Sequence, residues 1–263
     1  LYSESNEFKN KLIFTIKDSD GLVVKKVFKS PKKGVQRFQW DLRYEQKVPI
    51  SFAKSSFYNP FAGVSEGTLI KPGIYTIEMD LFDGSDFTKL VNPVSFNVKA
   101  LKITSMPAAD RDSKVVFQRN VSQLEGEMLS AAQMLGDASN KIKYFKEAIK
   151  LVERPYDELS KLIFNTDSKI KSINTSLYGN SLKSKLDIVE TPTAYSRLMS
   201  ILYEQKYSTS SPTLTHLESF EIAKEEFTPI FDQIKNLLKV DIKEIENKLK
   251  ILNAPFTPGR LKA

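Results

Sequence analysis

The reading of this chain turns on residues 117–152, FQRNVSQLEGEMLSAAQMLGDASNKIKYFKEAIKLV. Phe117, Val121, Leu124, Met128, Ala131, Leu135, Ala138, Ile142, Phe145, Ile149 and Val152 recur at alternating steps of four and three. That spacing lays one apolar stripe along a helix for about five heptads. A helix from 110 to 152 would be roughly 64 Å long, and nothing of that length holds alone, so other segments must cover its seam. Gly126 and Gly136 weaken the helix and let a neighbour approach closely.

Downstream, the same period continues. Leu159, Ile163, Ile170, Ile173 and Leu177 predict a return helix, ended at Tyr178-Gly179 by a glycine stop. Thr191-Pro192 reads as an N-cap with a proline in the first turn, opening a short helix on Tyr195, Leu198 and Leu202, and Ser211-Pro212 repeats the signal. Leu217, Phe220, Ala223, Phe227, Ile230, Ile234, Leu238, Ile242, Ile245, Leu249 and Leu252 carry the last stripe, with Pro229 inside it expected to kink the helix and absorb a shift of phase.

Upstream, the period is two. Leu12, Phe14 and Ile16 alternate with Ile13, Thr15 and Lys17, Asp18-Ser19-Asp20-Gly21 forms a turn, and Leu22 to Phe28 is a second β-rich run. Val35 to Leu42 reads as a strand with Phe38, Trp40 and Leu42 on one face. Tyr75, Ile77, Met79 and Leu81 alternate behind the turn Lys71-Pro72-Gly73, Asp83-Gly84 turns again, and Val94, Phe96 and Val98 close the region. Short strands at such spacing predict two packed sheets with Trp40 in the core. The expected fold class is therefore α+β and multi-domain. An Ig-like antiparallel β-sandwich (1–103) precedes an antiparallel helical bundle with long helices (108–253) and an irregular tail (254–263).

Composition narrows the chemistry. The chain has 263 residues, no Cys and one His, so disulfides, thiolate sites and multi-His metal centres within it are excluded. No apolar run approaches the ~20 residues of a membrane span. Leu1–Asn10 lacks the pattern of a signal peptide, so the chain reads as a fragment or mature form. The net charge of +7 rests mostly on Lys, interspersed with Asp and Glu as on solvated helix faces. Only seven residues are Arg, the residue favoured for reading nucleic acid, so nucleic acid is not expected as a partner. The compact basic stretch, Lys25-Lys26 and Lys29 through Lys33, is read as a surface loop.

No phosphate-binding glycine motif occurs, and His216, in Ser211-Pro212-Thr213-Leu214-Thr215-His216, is read as a surface or capping residue. Asp18-Ser19-Asp20-Gly21 faintly resembles the start of a calcium loop, but the twelfth position is Lys29, so a hairpin turn is preferred. Glu225-Glu226 and Asp241 with Glu244 are read as solvated helix faces. No catalytic residue, metal site or cofactor is assigned. The candidate contact residues are Phe52, Phe57, Tyr58 and Phe61, which either stack on sugar rings, anchor a protein partner, or fold over the sandwich edge to complete its core.

Two stretches carry a resemblance: Gly34-Val35-Gln36-Arg37-Phe38-Gln39-Trp40-Asp41-Leu42-Arg43-Tyr44 and Lys71-Pro72-Gly73-Ile74-Tyr75-Thr76-Ile77. They resemble the Trp-Asp and Pro-Gly-x-Tyr signature of Ig-like modules such as that of the flagellar hook-capping protein. Together with 101–110, Glu225-Glu226-Phe227-Thr228-Pro229 and Ala254 to Arg260, the chain is similar to the C-terminal region of bacterial sortilin-like proteins with BNR (Asp-box) β-propeller repeats. The resemblance implies a cell-surface, extracellular or periplasmic module behind an upstream propeller. Any hydrolase label would belong to that propeller. The expected function is a non-catalytic accessory module that orients the propeller and docks a protein partner, the propeller itself or an envelope complex or both; the alternative is a carbohydrate-binding accessory module.

Overall fold

The computed structural model describes residues 10–50, 67–101, 109–152 and 157–259. Over these the chain is mixed α and β, and its contacts divide it into two compact units. The first holds 10–46, 67–101, 109–119 and 204–212, and the second holds 47–50, 120–152, 157–203 and 213–259.

The first unit is built on four antiparallel strands, β1 (Lys11–Lys17), β2 (Val23–Lys29), β3 (Gly73–Phe82) and β4 (Phe87–Val98), in the order β2-β1-β3-β4. Asp18 makes the first hairpin: its Oδ1 accepts from the amides of Asp20 (3.1 Å) and Leu22 (2.9 Å), and Gly21 takes the left-handed φ of 77° that the turn requires. Asp83 does the same between β3 and β4, accepting from Ser85 and Asp86. Ile16 opposite Ile77, and Tyr75 opposite Phe96, put one apolar face together. Its centre is Ile16, Val24 and Tyr75, with Trp40, Tyr44, Ile70, Ile77, Phe96 and Val98 against it.

Residues 35–42 do not form the expected strand. Leu42 sits at φ 58°, outside the extended region, and the preceding residues are irregular. Trp40 nevertheless reaches the core, edge-on to Tyr75 and Phe96, while its indole N–H donates to the Arg43 carbonyl at 3.0 Å. Arg43 and Leu69 form an isolated antiparallel bridge, and Gly67 passes so close to the Tyr44 carbonyl that a side chain there would overlap it.

Helix α1 (Arg111–Lys150) follows the quoted stripe: Phe117 through Ile149 of that series are all buried. Fully burying a Leu, Ile, Phe or Met side chain contributes roughly 1.5–3 kcal/mol, which is why this pattern dominates local propensity. Asp110 caps α1, accepting from the amides of Asp112 (2.9 Å) and Ser113 (3.0 Å). In the second unit, Gly126 lets the Lys47 carbonyl lie where a methyl would be, while Gly136 has open space beside it.

Helix α2 (Asp157–Tyr178) buries Leu159, Ile163, Ile170, Ile173 and Leu177 as expected, together with Thr166, whose hydroxyl donates to the Leu162 carbonyl. Gly179 follows at φ 87°, and a short helix α3 (Ser181–Lys185) is capped by Asn180. Helix α4 (Ala194–Tyr207) starts later than Thr191-Pro192 predicts. Thr193 Oγ1 accepts from the Ser196 amide, so the proline precedes the cap. Helix α5 (Leu214–Asn236) repeats this, with Thr213 capping after Pro212.

Helix α5 runs through Pro229 and passes into a π-helical turn, Leu237–Asp241, then α6 (Ile242–Ile251). The buried series is Phe227, Ile230, Ile234, Leu237, Ile242, Ile245 and Leu249, so Leu237 takes the place expected for Leu238. The five-residue step from Leu237 to Ile242 is one too long for an α-helix, and the wider π turn absorbs it. The phase shift is therefore met at 237–241 and not at Pro229.

Candidate partner-binding surfaces

Phe52, Phe57, Tyr58 and Phe61 lie outside the described residues. Within the first unit the described surface offers two other features.

The first is β4. It is the last strand of the sheet, and among the described residues β3 alone pairs with it. Phe87 (63% exposed), Leu90 (46%), Val91 (40%) and Val94 (54%) all reach solvent, an unusual density of large apolar groups for an edge strand. Phe87 stacks on Phe82 at 4.6 Å between ring centres, which holds the start of the strand. The pairing with β3 is bulged between Ile77 and Asp80. Phe87, Leu90, Val91 and Val94 do not alternate, so no single face of the strand can bury them all.

The second is an open cleft of about 700 Å³, lined by Lys29 at the end of β2 and by Gln36, Arg37, Phe38 and Gln39. Gly34, at φ 94°, turns the chain between them. The Phe38 ring rests on Phe14, 4.4 Å between centres, and the Gln36 amide donates to the Lys32 carbonyl at 2.6 Å. Of the stretch read as a basic surface loop, Lys25, Lys26 and Lys29 belong to β2, and Lys29 alone lines the hollow, with Arg37 brought to it by the turn.

In the second unit, the π turn opens a smaller cleft of about 230 Å³ among Lys169, Ser172, Ile173, Gln233, Asn236, Leu237 and Asp241. Asp241, expected on a solvated face, is buried, and Lys169 Nζ donates to both its carboxylate oxygens, at 3.0 and 2.8 Å. The extra residue in the apolar stripe was the sequence signal for it. Helix α4 buries Ala194, Leu198 and Ile201, one position away from the expected Tyr195 and Leu202. Tyr195 is half-buried against Tyr178, 4.8 Å between ring centres, and Met199 and Tyr203 follow it at four-residue steps on the exposed side.

Several other polar groups take part in caps, ion pairs and core contacts. His216 closes a capping box: its Nδ1 accepts from the Thr213 amide at 3.1 Å, and Thr213 Oγ1 accepts from the His216 amide at 3.2 Å. Asp18 meets Arg119 at 2.7 Å. Lys114, buried, donates to the Ser208 carbonyl at 2.5 Å, and burial pushes its ammonium pKa down. Burial likewise raises the Tyr75 phenol, which donates to the Lys71 carbonyl at 2.7 Å. The Ser113 hydroxyl and amide hold the Asp110 carboxyl below its ordinary range, and Lys171 with Lys146 does so for Asp167. These shifted groups sit in a cap, a core contact or an ion pair.

Comparison with protein-family models, with curated proteins and with solved structures finds no match to this chain. Among the described residues, no group of three or more His, Cys, Asp or Glu is arranged to hold a metal ion, and no helix is long and apolar enough to cross a membrane.

Proposed function

We propose that this chain is a non-catalytic accessory module of a larger exported bacterial cell-surface protein, orienting an upstream β-propeller and docking a protein partner. Its finer architecture on this reading is an Ig-like β-sandwich followed by an antiparallel helical bundle. The observation that carries the docking role is β4, a twelve-residue edge strand with Phe87, Leu90, Val91 and Val94 exposed. An edge offers backbone donors and acceptors, and exposed apolar side chains on it supply the desolvation that makes a strand-to-strand contact favourable. Pro93 removes one amide donor from the strand and so limits indiscriminate edge pairing. The likeness of 34–44 and 71–77 to Ig-like modules behind propellers supports the placement and the surface location.

The test is site-specific photo-crosslinking in intact cells of the source organism, with the crosslinker at Leu90 or at Val94, and at Glu225 on α5 as control. A discrete adduct from positions 90 and 94, absent at 225 and lost in a Val91→Glu variant, is the expected result. Equal labelling from all three positions, or none from β4, overturns the docking role.

A further inference from the structure

We infer that the cleft lined by Lys29, Gln36, Arg37, Phe38 and Gln39 binds an acidic glycan segment, a run of sugar rings bearing carboxylates. Three observations converge on it, and none depends on the docking role of β4.

The first is uncompensated charge. Five cations of this unit are matched, Lys17 and Lys89 with Glu78, Lys25 with Glu45, Lys71 with Asp112 and Arg119 with Asp18, whereas those at the cleft are not. Lys29 and Arg37 have no carboxylate partner among the described residues, and none of the described residues lining the cleft is acidic. Two cations facing one hollow raise the local concentration of anions, and the planar fork of Arg37 matches a carboxylate with two parallel hydrogen bonds.

The second is the remaining lining. Gln36 and Gln39 each carry a donor and an acceptor at the end of a side chain, the combination that hydroxyl groups satisfy in either direction. An acidic peptide would use the cations but has no need of two amides. Phe38 supplies an apolar wall for the C–H face of a sugar ring.

The third is order. Phe38 is held by Phe14, and Gln36 by its bond to the Lys32 carbonyl, so part of the lining is set before any ligand arrives. The volume of about 700 Å³ lies in the range that accommodates more than a single small ring.

Titration of the full chain with trigalacturonate, maltotriose and hexaglutamate, followed by calorimetry at low and high salt, tests this. Trigalacturonate binds, and more weakly as salt rises, while maltotriose and hexaglutamate bind at least ~10-fold less tightly. A Lys29→Ala/Arg37→Ala variant weakens trigalacturonate by ~10-fold or more, and Arg37→Lys, which keeps the charge but loses the fork, weakens it by about threefold. A Lys143→Ala/Lys185→Ala variant removes the same charge from exposed helix positions and leaves binding unchanged. All four replaced side chains are solvent-exposed, so folding is preserved. Absence of trigalacturonate binding, equal binding of maltotriose, tighter binding of hexaglutamate, or equal loss in the Lys143/Lys185 variant each overturns the inference.

Discussion

The guanidinium of Arg119 donates to Asp18 Oδ2 at 2.7 Å across 101 residues of sequence, and the Asp18 side chain is only 2% exposed. Its other oxygen holds the β1–β2 turn, so one carboxylate serves a hairpin and the first turns of α1 at once. Arg119 also lies over the Tyr44 ring, 5.2 Å from its centre. Removing Arg119 leaves a buried carboxylate satisfied on one side alone. Arg119→Ala is expected to cost about 2 kcal/mol, and adding Asp18→Asn, which keeps the turn acceptor but removes the charge, to restore part of it. Urea unfolding followed by the fluorescence of Trp40, the one tryptophan in the chain, reads this directly.

Gly126 and Gly136 look alike in the sequence of α1 and differ in space. Gly136→Ala meets nothing within 4 Å and gains helix propensity, so it stabilises by about 0.5–1 kcal/mol. Gly126→Ala would drive its methyl into the Lys47 carbonyl and is expected to destabilise despite the same propensity gain. Paired thermal melts of the two variants check the opposite signs.

The π turn at Leu237–Asp241 predicts an asymmetry between deletions. Deleting the exposed Val240 lets the turn revert to α-helix with Ile242, Ile245 and Leu249 still facing the core, at a cost of about 2 kcal/mol or less. Deleting Glu244 has no spare residue to draw on and rotates Leu249 by about 100° away from the core, costing more than about 4 kcal/mol. Circular dichroism with chemical denaturation distinguishes the two.

Glu246 is pushed upward by burial, but hydrogen bonds from Lys141 (2.8 Å) and Lys243 (2.9 Å) outweigh this and hold it below the ordinary glutamate value of 4.5. A depressed folded value means that the unfolded chain takes up its proton first as the pH drops. The stabilisation is therefore whole above pH 4.5 and is lost as the pH falls through the lower folded value. Melting temperature is expected to decline between about pH 5 and 3, less steeply in Glu246→Gln, which has nothing left to titrate at that site.

Much of the fold was legible because its signals are local. The alternation in Leu12–Lys17 and Tyr75–Leu81, and the stripe from Phe117 to Ile149, are periodicities that a chain can satisfy in only one kind of backbone. The candidate surfaces were less legible. Lys29 read as part of a charged loop and Arg37 as part of a strand until the turn at Gly34 set them around one hollow, and nothing in the spacing of Val94 marked it as exposed on the last strand of the described sheet. Caps were misplaced by two residues at Thr193 and Thr213 because proline before the cap and proline after it give the same dipeptide signal.

Sequence alone determined where β gives way to α, the apolar stripe that α1 buries from Phe117 to Ile149 and that of α2 from Leu159 to Leu177, and that His216 belongs to a helix start, since each follows from spacing within a few turns or residues of backbone. Tertiary structure decided that Trp40 reaches the core from an irregular segment, that Leu237 replaces Leu238 through a π turn, that Asp18 answers Arg119, and that Lys29 and Arg37 line one cleft. These depend on which distant segments meet, and pairing at a distance leaves no period in the chain to be read.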